Sequence, residues 1–228
     1  MTNRLFFLGL FGSLLAAVMI GYISVFTDLD LFLSDLMFDA ALRDFPAKDT
    51  WFASVFMHRW VKYFFIALGL VLTALLLTEL ARTQKRLTAD QRRKLLVVVL
   101  AFFTVPLLIS LLKSQSMHHC PWDLERYGGF APYLRLFDDL PKGIKAGHCF
   151  PAGHASSALW VAALAVFWLP RRPLAALTVF ALGLAPGLIL GWVQQMRGAH
   201  FLTHTLWSAW IAGFVILVLS RLLLAPRA

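Results

Sequence analysis

Three short polar clusters carry the side chains that could do chemistry in this chain. The first starts at Lys113 and runs through two histidines into a Cys-Pro pair. The second ends in Pro-Ala-Gly-His at His154, and the third holds His200 and His204 four residues apart. Imidazole rings can act as nucleophiles or transfer protons near neutral pH, and lysine binds anions. The combination favours chemistry on an anionic group.

His154 and His200 both stand where a loop is expected to turn into a helix. Free backbone N–H groups at such a helix start attract anions. If a phosphate is held there beside Lys113, one imidazole can attack phosphorus while the other protonates the departing oxygen. A single histidine at a helix start is more often a cap, but two of them, each closely preceded by glycine, favour phosphoryl transfer through a phosphohistidine.

The composition places these clusters in a membrane protein. The chain has 228 residues, of which 60% are apolar and 14% are charged. A soluble domain has roughly 45 to 50% apolar and about 25% charged residues. The same numbers exclude a disordered chain and a disulfide-rich secreted scaffold. Two cysteines are too few for a zinc site made of cysteine alone.

Six apolar stretches are long enough, or nearly so, to cross about 30 Å of hydrocarbon as helices. The fourth is short, so its first turn is expected to begin within 151–154. The sequence therefore predicts an all-α fold, with one domain over residues 1–228 and six transmembrane helices in a bundle. The predicted spans are 5–27, 63–80, 95–112, 155–169, 174–193 and 205–224.

The charges sort the loops onto two faces. Six spans put both termini on one side with the loops 81–94 and 170–173, and this side holds eleven basic residues against the acidic Glu79 and Asp90. Short loops rich in Lys and Arg stay cytoplasmic, so both termini are predicted to be cytoplasmic. The net charge of +9 thus indicates topology and not a nucleic-acid partner. The basic residues on this side are Arg4, Arg82, Lys85, Arg86, Arg92, Arg93, Lys94, Arg171, Arg172, Arg221 and Arg227.

The outward side carries the segments 28–62, 113–154 and 195–204. Ionisable side chains are nearly absent from the middle of the spans, which argues against transport, because transporters place such groups near the bilayer midplane. Any chemistry is therefore expected at the outer interface. All seven histidines lie in or beside the outward segments: His58, His118, His119, His148, His154, His200 and His204.

The first part of the outward segment 28–62, residues 28–45, has the pattern of a helix. Asp28, Asp35 and Asp39 fall on one stripe at spacings of seven and four, and apolar residues occupy much of the rest. Such a helix would lie in the membrane interface as an outward-facing lid or packing element.

The three clusters resemble the motifs of the type 2 phosphatidic acid phosphatase family, K-x6-R-P, P-S-G-H and S-R-x5-H-x3-D. The resemblance covers 113–204, and the motif spacing is met throughout. The matching positions are Lys113 with Cys120 and Pro121, then Pro151-Ala152-Gly153-His154, then Gln194 with His200 and His204.

The resemblance implies six spans, an outward-facing site and a role for each matching residue. His200 would be the nucleophile and His154 the general acid, while Lys113 would neutralise the phosphate beside Gly153. The family pattern needs no metal, and we expect no cofactor.

Several motif side chains differ from the family pattern. Each lost arginine removes a bidentate phosphate clamp. Arg197, shortly before His200, and Arg126, just after the first motif, are the candidate replacements. The altered positions are Cys120 and Gln194 for the two arginines, Ala152 for the serine and His204 for the aspartate that orients the nucleophile.

His204 is expected on the same helix face as His200. A neutral imidazole there can accept the N–H of His200 and fix its tautomer, but it cannot supply the negative charge of a carboxylate. Either activity is lowered, or an aspartate such as Asp123 from the loop supplies that charge. The same pair is also a chelating pattern, and His154 or His148 could complete a metal site; the resemblance favours the metal-free interpretation.

Cys120 and Cys149 are a candidate disulfide. Both are predicted to lie outside the cytoplasm, where disulfides persist. Closing a loop of roughly thirty residues would contribute about 3 to 4 kcal/mol in the chain-entropy model, and it would tether the segment of Lys113 to the helix of His154. Two free thiols are the alternative.

The sequence thus predicts an enzyme: a lipid phosphatase in a bacterial-type inner membrane, with its site on the periplasmic face. Its substrate would be a phosphomonoester or diphosphate on a lipid headgroup. Four lipid classes would present the same phosphate group to the same residues: phosphatidic acid, phosphatidylglycerophosphate, a polyprenyl diphosphate and a lipid A phosphate. The alternatives are phosphotransfer between lipids and a non-catalytic lipid-binding or lipid-moving protein. The oligomeric state is left open.

Overall fold

The computed structural model describes residues 1–225, so Arg227, counted above among the cytoplasmic charges, lies outside the described residues. Within that range the protein is helical and contains no β-strand. A π-helix, Trp51–Val61, leads directly into the third α-helix, and a 3-10 helix, Trp160–Trp168, continues the fifth. The α-helices are α1 (Asn3–Phe26), α2 (Leu29–Asp35), α3 (Lys62–Ala81), α4 (Ala89–Ser114), α5 (Gly153–Leu159), α6 (Pro173–Met196) and α7 (Leu202–Leu224).

Five helical segments are long and apolar enough to cross a membrane. The second of them is the π-helix together with α3, so this segment starts well before the predicted span 63–80. The all-α prediction is thereby confirmed for the described residues, and the long apolar helices indicate a membrane protein. The five segments are Asn3–Phe26, Trp51–Ala81, Ala89–Ser114, Pro173–Met196 and Leu202–Leu224.

The fourth predicted span, 155–169, corresponds to the shorter segment Gly153–Trp168. Its first seven residues form α5, and the next nine form the 3-10 helix. A 3-10 helix rises about 2.0 Å per residue and an α-helix about 1.5 Å, so the whole segment extends roughly 28 Å, close to the hydrocarbon thickness. That it completes a sixth crossing stays a prediction.

The same segment forms the centre of the bundle. Leu159, Trp160 and Ala162 are fully buried, and the segment packs against α4, α6 and α7. On α6, a Cβ at Gly183 would lie 2.5 Å from Ala162 Cα, and one at Gly187 would lie 2.5 Å from Leu159 Cγ. Small residues one turn apart let membrane helices approach each other closely. The glycines thus let α6 pack closely against the central segment. This packing also fixes the position of the loop that follows α6.

The two ends of the described chain lie together at one end of the bundle. The Met1 amino group donates a hydrogen bond to the carbonyl of Leu224. Farther along the same pair of helices, Trp210 of α7 donates its indole N–H to the carbonyl of Ser13 in α1 at 2.8 Å. α1 and α7 are therefore antiparallel neighbours, and the other end of the bundle, where α4 ends and α5 and α7 begin, is called the site end below.

The prediction of a helix over 28–45 is wrong in its length. Only α2, Leu29–Asp35, is helical, and turns follow it. The Asp39 carboxylate accepts from the backbone N–H groups of Ala41 and Leu42 at 2.8 and 3.0 Å, which competes with a continued helix. Asp30, which is not on the predicted acidic stripe, is the buried carboxylate of this segment. Whether α2 lies in the membrane interface stays a prediction.

Candidate active site

The three polar clusters of the sequence meet at the site end. His154 is the second residue of α5, and His200 lies in the loop between α6 and α7. Their ring centroids are 6.4 Å apart. Lys113 comes from the last turn of α4, and a Cβ built on Gly153 would lie 3.6 Å from Lys113 Cδ and 3.8 Å from its Nζ. The ammonium group therefore lies beside the bare backbone from which α5 starts.

Main-chain hydrogen bonds hold the starts of α5 and α7 together. The N–H of Ala152 donates to the carbonyl of His204 at 3.1 Å. The Ser208 hydroxyl lies 3.0 Å from the carbonyl of Ala152 and 2.9 Å from that of His204. All of these groups are buried. Because buried peptide groups are costly to leave unpaired, these bonds fix the position of His154 relative to His200.

His200 and His204 form a buried pair. Their Nδ1 atoms are 3.5 Å apart, at the outer limit of a hydrogen bond, and both side chains are almost completely buried. Burial, with His204 and Lys113 nearby, lowers the pKa of His200 well below its usual value. His200 is therefore neutral at pH 7, and a neutral ring that holds its proton on Nδ1 has a free lone pair on Nε2.

The buried carboxylate of Asp30 binds Thr203, the residue before His204. Asp30 comes from α2 and accepts a hydrogen bond from the backbone N–H of Thr203 at 3.0 Å and another from the Thr203 hydroxyl. It thereby caps the first turn of α7, whose own N-cap residue, Phe201, contributes no side-chain bond. Asp30, His118 and His204 also line a void of about 10 Å³, close to the size of one water molecule.

His58 lies against His154 at the site end, a contact that sequence reasoning missed. It lies on the π-helix Trp51–Val61, and its Nε2 is 2.9 Å from Nε2 of His154. The two imidazole rings are 3.8 Å apart between centroids. Sequence reasoning counted His58 only among the outward histidines, because 96 residues separate it from His154 and no local spacing connects them. Its position just before an apolar stretch was the one feature of the sequence that could have indicated a place at the site end.

Arg197 joins this group of histidines. Its Nη1 donates to Nδ1 of His58 at 2.9 Å and to Oε1 of Gln194 at 3.0 Å. Its Nε donates to the carbonyl of Lys48 at 2.8 Å, which orients the guanidinium group. The loop that carries Arg197 turns at Gly198, whose φ of 69° favours glycine and whose backbone lies against the ring of Phe45.

The structure does not bring Arg126 to the histidines. Its Nε and Nη2 form a bidentate pair with the Asp35 carboxylate at 2.8 and 2.6 Å. The Tyr127 hydroxyl donates to the same carboxylate at 2.9 Å. Arg126 and these bonds keep the pKa of Asp35 below its usual value. Arg126 therefore attaches the loop after α4 to α2.

Cys120 and Cys149 form a disulfide, with their Cα atoms 5.3 Å apart. The segments on both sides run next to each other, since the Cys149 N–H donates to the carbonyl of His118 at 2.9 Å. Cys149 Sγ lies 3.5 Å from Nδ1 of His200. The possible metal-ligand atoms of three residues lie close together here: Cys120, Cys149 and His200. This group offers no thiolate to a metal ion, because both sulfurs belong to the disulfide. His148, the other histidine considered for a metal site, is exposed on this segment.

A cavity of about 320 Å³ opens beside the histidines, between α3, α4 and α5. Phe102, Pro106, Ser110 and Lys113 form its α4 wall at helical spacing, so the wall runs from the site end toward the middle of the bundle. The other lining residues are Lys62, Ile66, Gly153, His154, Ser156 and Ser157. The cavity is basic at its outer end and apolar along α4.

A family model, the PAP2 superfamily, matches residues 94–227, which is more than half of the chain. The chain belongs to the PAP2 superfamily. No curated protein and no solved structure matches it. Superfamily membership and the apolar helices together indicate a membrane protein with a phosphatase-type function.

The geometry gives each departure from the PAP2 motifs a physical context. Gln194 stands where the motif has its second arginine, and the guanidinium of Arg197 lies against its side chain. Cys120 stands where the motif has its first arginine, and it is bonded to Cys149. Ala152, at the motif serine, is fully buried and contributes main-chain bonds alone.

Arg197→Lys should lower kcat/KM for a lipid phosphate by about tenfold or more, because an ammonium group cannot contact Lys48, Gln194 and His58 in one plane. Arg126→Lys is the matched control and should change kcat/KM by less than about threefold, because Arg126 is paired with Asp35. Phosphate-release kinetics with both variants check this. A larger loss in Arg126→Lys than in Arg197→Lys would contradict the assignment.

Breaking the disulfide should lower stability by about 3 kcal/mol, because the unfolded chain then regains the freedom of a loop of 29 residues. Activity should fall as well, since Cys149 Sγ contacts His200. The measurement is thermal unfolding and phosphate release with and without a phosphine reductant, compared with Cys120→Ser/Cys149→Ser, which reductant should no longer affect. Two reactive thiols in the unreduced, denatured protein would refute the bond.

Proposed function

We propose that this PAP2 protein hydrolyses a phosphomonoester or diphosphate on a lipid headgroup through a phosphohistidine on His200. The observation that carries the proposal is the pair of imidazole rings of His154 and His200, 6.4 Å apart between centroids, beside the ammonium group of Lys113. A nucleophile and a proton donor on two sides of a basic pocket are what phosphoryl transfer to histidine requires.

In the first step, Nε2 of His200 attacks phosphorus. The P–N bond forms, the P–O bond to the lipid breaks, and His154 in its protonated form gives the leaving oxygen a proton. In the second step, His154 takes a proton from water, the resulting hydroxide attacks phosphorus, and the P–N bond breaks. Inorganic phosphate leaves, and His200 is neutral again. His204 accepts the Nδ1–H of His200 throughout and so keeps Nε2 available for attack.

The charge of the phosphate is met by cations from one helix and one loop. Lys113 lies beside Gly153, and the Arg197 guanidinium reaches the same group of histidines through His58. Charge-assisted hydrogen bonds to phosphate oxygens in a buried site are stronger than those between neutral groups. Gly153 lets the phosphate approach the backbone beside Lys113 with no side chain in the way.

The cavity between α3, α4 and α5 supports a lipid as the substrate. Lys62 and Lys113 lie at its outer end, near His154, and Ile66, Phe102 and Pro106 give it apolar walls farther in. A phosphate held at the basic end would extend its attached chain along α4. A soluble phosphate ester would leave these apolar walls uncovered, which favours the lipid.

The proposal places the site on the periplasmic face of a bacterial inner membrane, with both termini cytoplasmic. Arg82, Lys85 and Arg86 lie in the loop between α3 and α4, away from the site end, as the positive-inside rule requires of a cytoplasmic loop. The disulfide at the site end supports the same orientation, since disulfides persist outside the cytoplasm.

Release of inorganic phosphate by purified protein, over a panel of the four lipid classes named above, tests the proposal. His200→Ala should abolish turnover. His154→Ala should retain slow turnover that improves with a better leaving group, because the acid is needed only by poor leaving groups. His148→Asn, an exposed histidine away from the pair, is the control and should keep wild-type rates.

Near wild-type turnover in folded His200→Ala would refute the phosphohistidine. No phosphate release with any lipid would favour a lipid-binding or lipid-moving protein, and release that requires a second lipid as acceptor would indicate a phosphotransferase.

Filling the cavity should separate lipid from soluble substrates. Ser110→Trp places a large side chain into the lining and should lower kcat/KM for a lipid phosphate by about tenfold or more, while a short soluble phosphate ester is affected less. Leu107→Trp lies on the same helix but faces outward and is the matched control. Competition kinetics with the two substrates check this, and equal losses with both would contradict the cavity as the lipid site.

A further inference from the structure

His58 contacts the imidazole ring of His154, with 2.9 Å between the two Nε2 atoms. On its other nitrogen, Nδ1 lies 2.9 Å from Nη1 of Arg197 and 3.3 Å from Oε1 of Gln194. None of the PAP2 motif positions falls on His58. The hydrolysis proposed above needs His154 to be protonated when the lipid oxygen leaves.

The contacts of His58 determine the tautomers of both rings. Arginine nitrogens only donate, so Nδ1 of His58 is the acceptor in its bond with Arg197. A neutral His58 then carries its proton on Nε2 and donates it to His154. Nε2 of His154 is therefore an acceptor, and its own proton is on Nδ1. In this state the nitrogen of His154 that faces His58 has no proton to give.

A second arrangement of the same atoms is available to His58. Gln194 Oε1 is an acceptor next to Nδ1, so a protonated Nδ1 can donate to it once Arg197 no longer does so. The charged groups near His58 are the cations Arg197, Lys62 and Arg59. An arriving phosphate reverses that local charge.

We infer that His58 is a proton-relay and positioning residue that supplies His154 with its catalytic proton, and that Arg197 controls the relay. The inference rests on the proposed function and adds a residue to its machinery. In the empty site, Arg197 occupies Nδ1 of His58 and blocks proton uptake there. A bound phosphate attracts the Arg197 guanidinium and uncovers Nδ1.

The relay conserves protons at each step. Nδ1 of His58 takes one proton from the phosphate monoanion, whose second pKa is about 6, or from water. The Nε2–H bond of His58 then breaks, and that proton passes to Nε2 of His154, which becomes an imidazolium. His58 is left neutral with its proton on Nδ1, bonded to Gln194. His154, which then carries a proton on each nitrogen, gives its Nδ1 proton to the lipid oxygen as the P–O bond breaks and is neutral again. In the second step Nδ1 of His154 takes the proton from water, Nε2 of His154 returns a proton to Nε2 of His58, and Nδ1 of His58 gives its proton to the departing phosphate, so both rings regain their starting tautomers.

His58→Gln is the sharpest variant, because a glutamine can accept from Arg197 and donate to His154 but cannot relay a proton. It should slow hydrolysis of an alkyl lipid phosphate by about 10- to 100-fold and that of p-nitrophenyl phosphate by less than about threefold, since only the poor leaving group needs the acid. Loss of positioning alone would slow both substrates equally and would overturn the relay.

The double variant His58→Gln/His154→Gln should be no slower than His154→Gln alone, because both residues act on one proton. Additive losses would place His58 in a separate role and overturn the inference. His148→Asn again serves as the control histidine.

Nitrogen-15 NMR of histidine-labelled protein tests the same relay without turnover, because it reports which nitrogen of His58 carries a proton. Comparison with the His58→Gln variant assigns the His58 signals. In the empty protein, Nδ1 of His58 should be unprotonated; with orthovanadate bound, it should carry a proton. A protonated Nδ1 in the empty protein, or no change with vanadate, would refute the relay. Absence of lipid hydrolysis by the wild type would instead refute the proposed function, and the NMR result would still decide the tautomer of His58.

Discussion

The site depends on the hydrogen bonds that join the starts of α5 and α7. Ala152 N–H donates to His204, and the Ser208 hydroxyl lies within reach of the carbonyls of both. These atoms are buried, so no water can replace a lost partner, and small displacements of either helix are opposed. His154 and His200 each stand within a few residues of this junction. Their relative position is therefore set by main-chain bonds, which a change of side chains elsewhere leaves in place.

Burial around this junction also decides which protonation states the site uses. His200 is almost completely buried, its pKa is lowered, and it stays neutral. Cations are supplied from farther out, by Lys113 on α4 and by Arg197 in the loop after α6. The site therefore has the neutral imidazole of His200 at its centre and cations around it. A bound phosphate supplies the negative charge that balances these cations. The empty site is then ready for an anion, since no carboxylate of the protein neutralises Lys113 or Arg197 through the described ion pairs.

Arg197 shows how a lost motif side chain can be replaced from a different position in the chain. The guanidinium lies against Gln194, at the motif arginine position, but is attached to the chain three residues later. The carbonyl of Lys48 and the turn at Gly198 orient it. In the proposed mechanism, the guanidinium that would bind phosphate is thus also the group that contacts His58.

The sequence by itself determined the solvent and the main residues of the site. An apolar fraction of 60% with periodic breaks indicates burial in a bilayer, and composition and length predicted six spans, five of which correspond to long apolar helices within the described residues. Motif spacing identified His154, His200 and Lys113, because each lies at a fixed distance from a helix end. The family match over 94–227 confirmed that resemblance.

Tertiary structure alone decided the groups that support them. His58 and Asp30 reach the site across long stretches of chain, through contacts that no local spacing encodes. Arg126 and Arg197 were equivalent as candidates from the sequence, since both follow a motif closely. Because α2 ends beside the loop of Arg126, Asp35 pairs with Arg126. Arg197 contacts the histidines instead. The length of α2 was also decided by competition, since the Asp39 side chain binds the backbone N–H groups that a longer helix would have used.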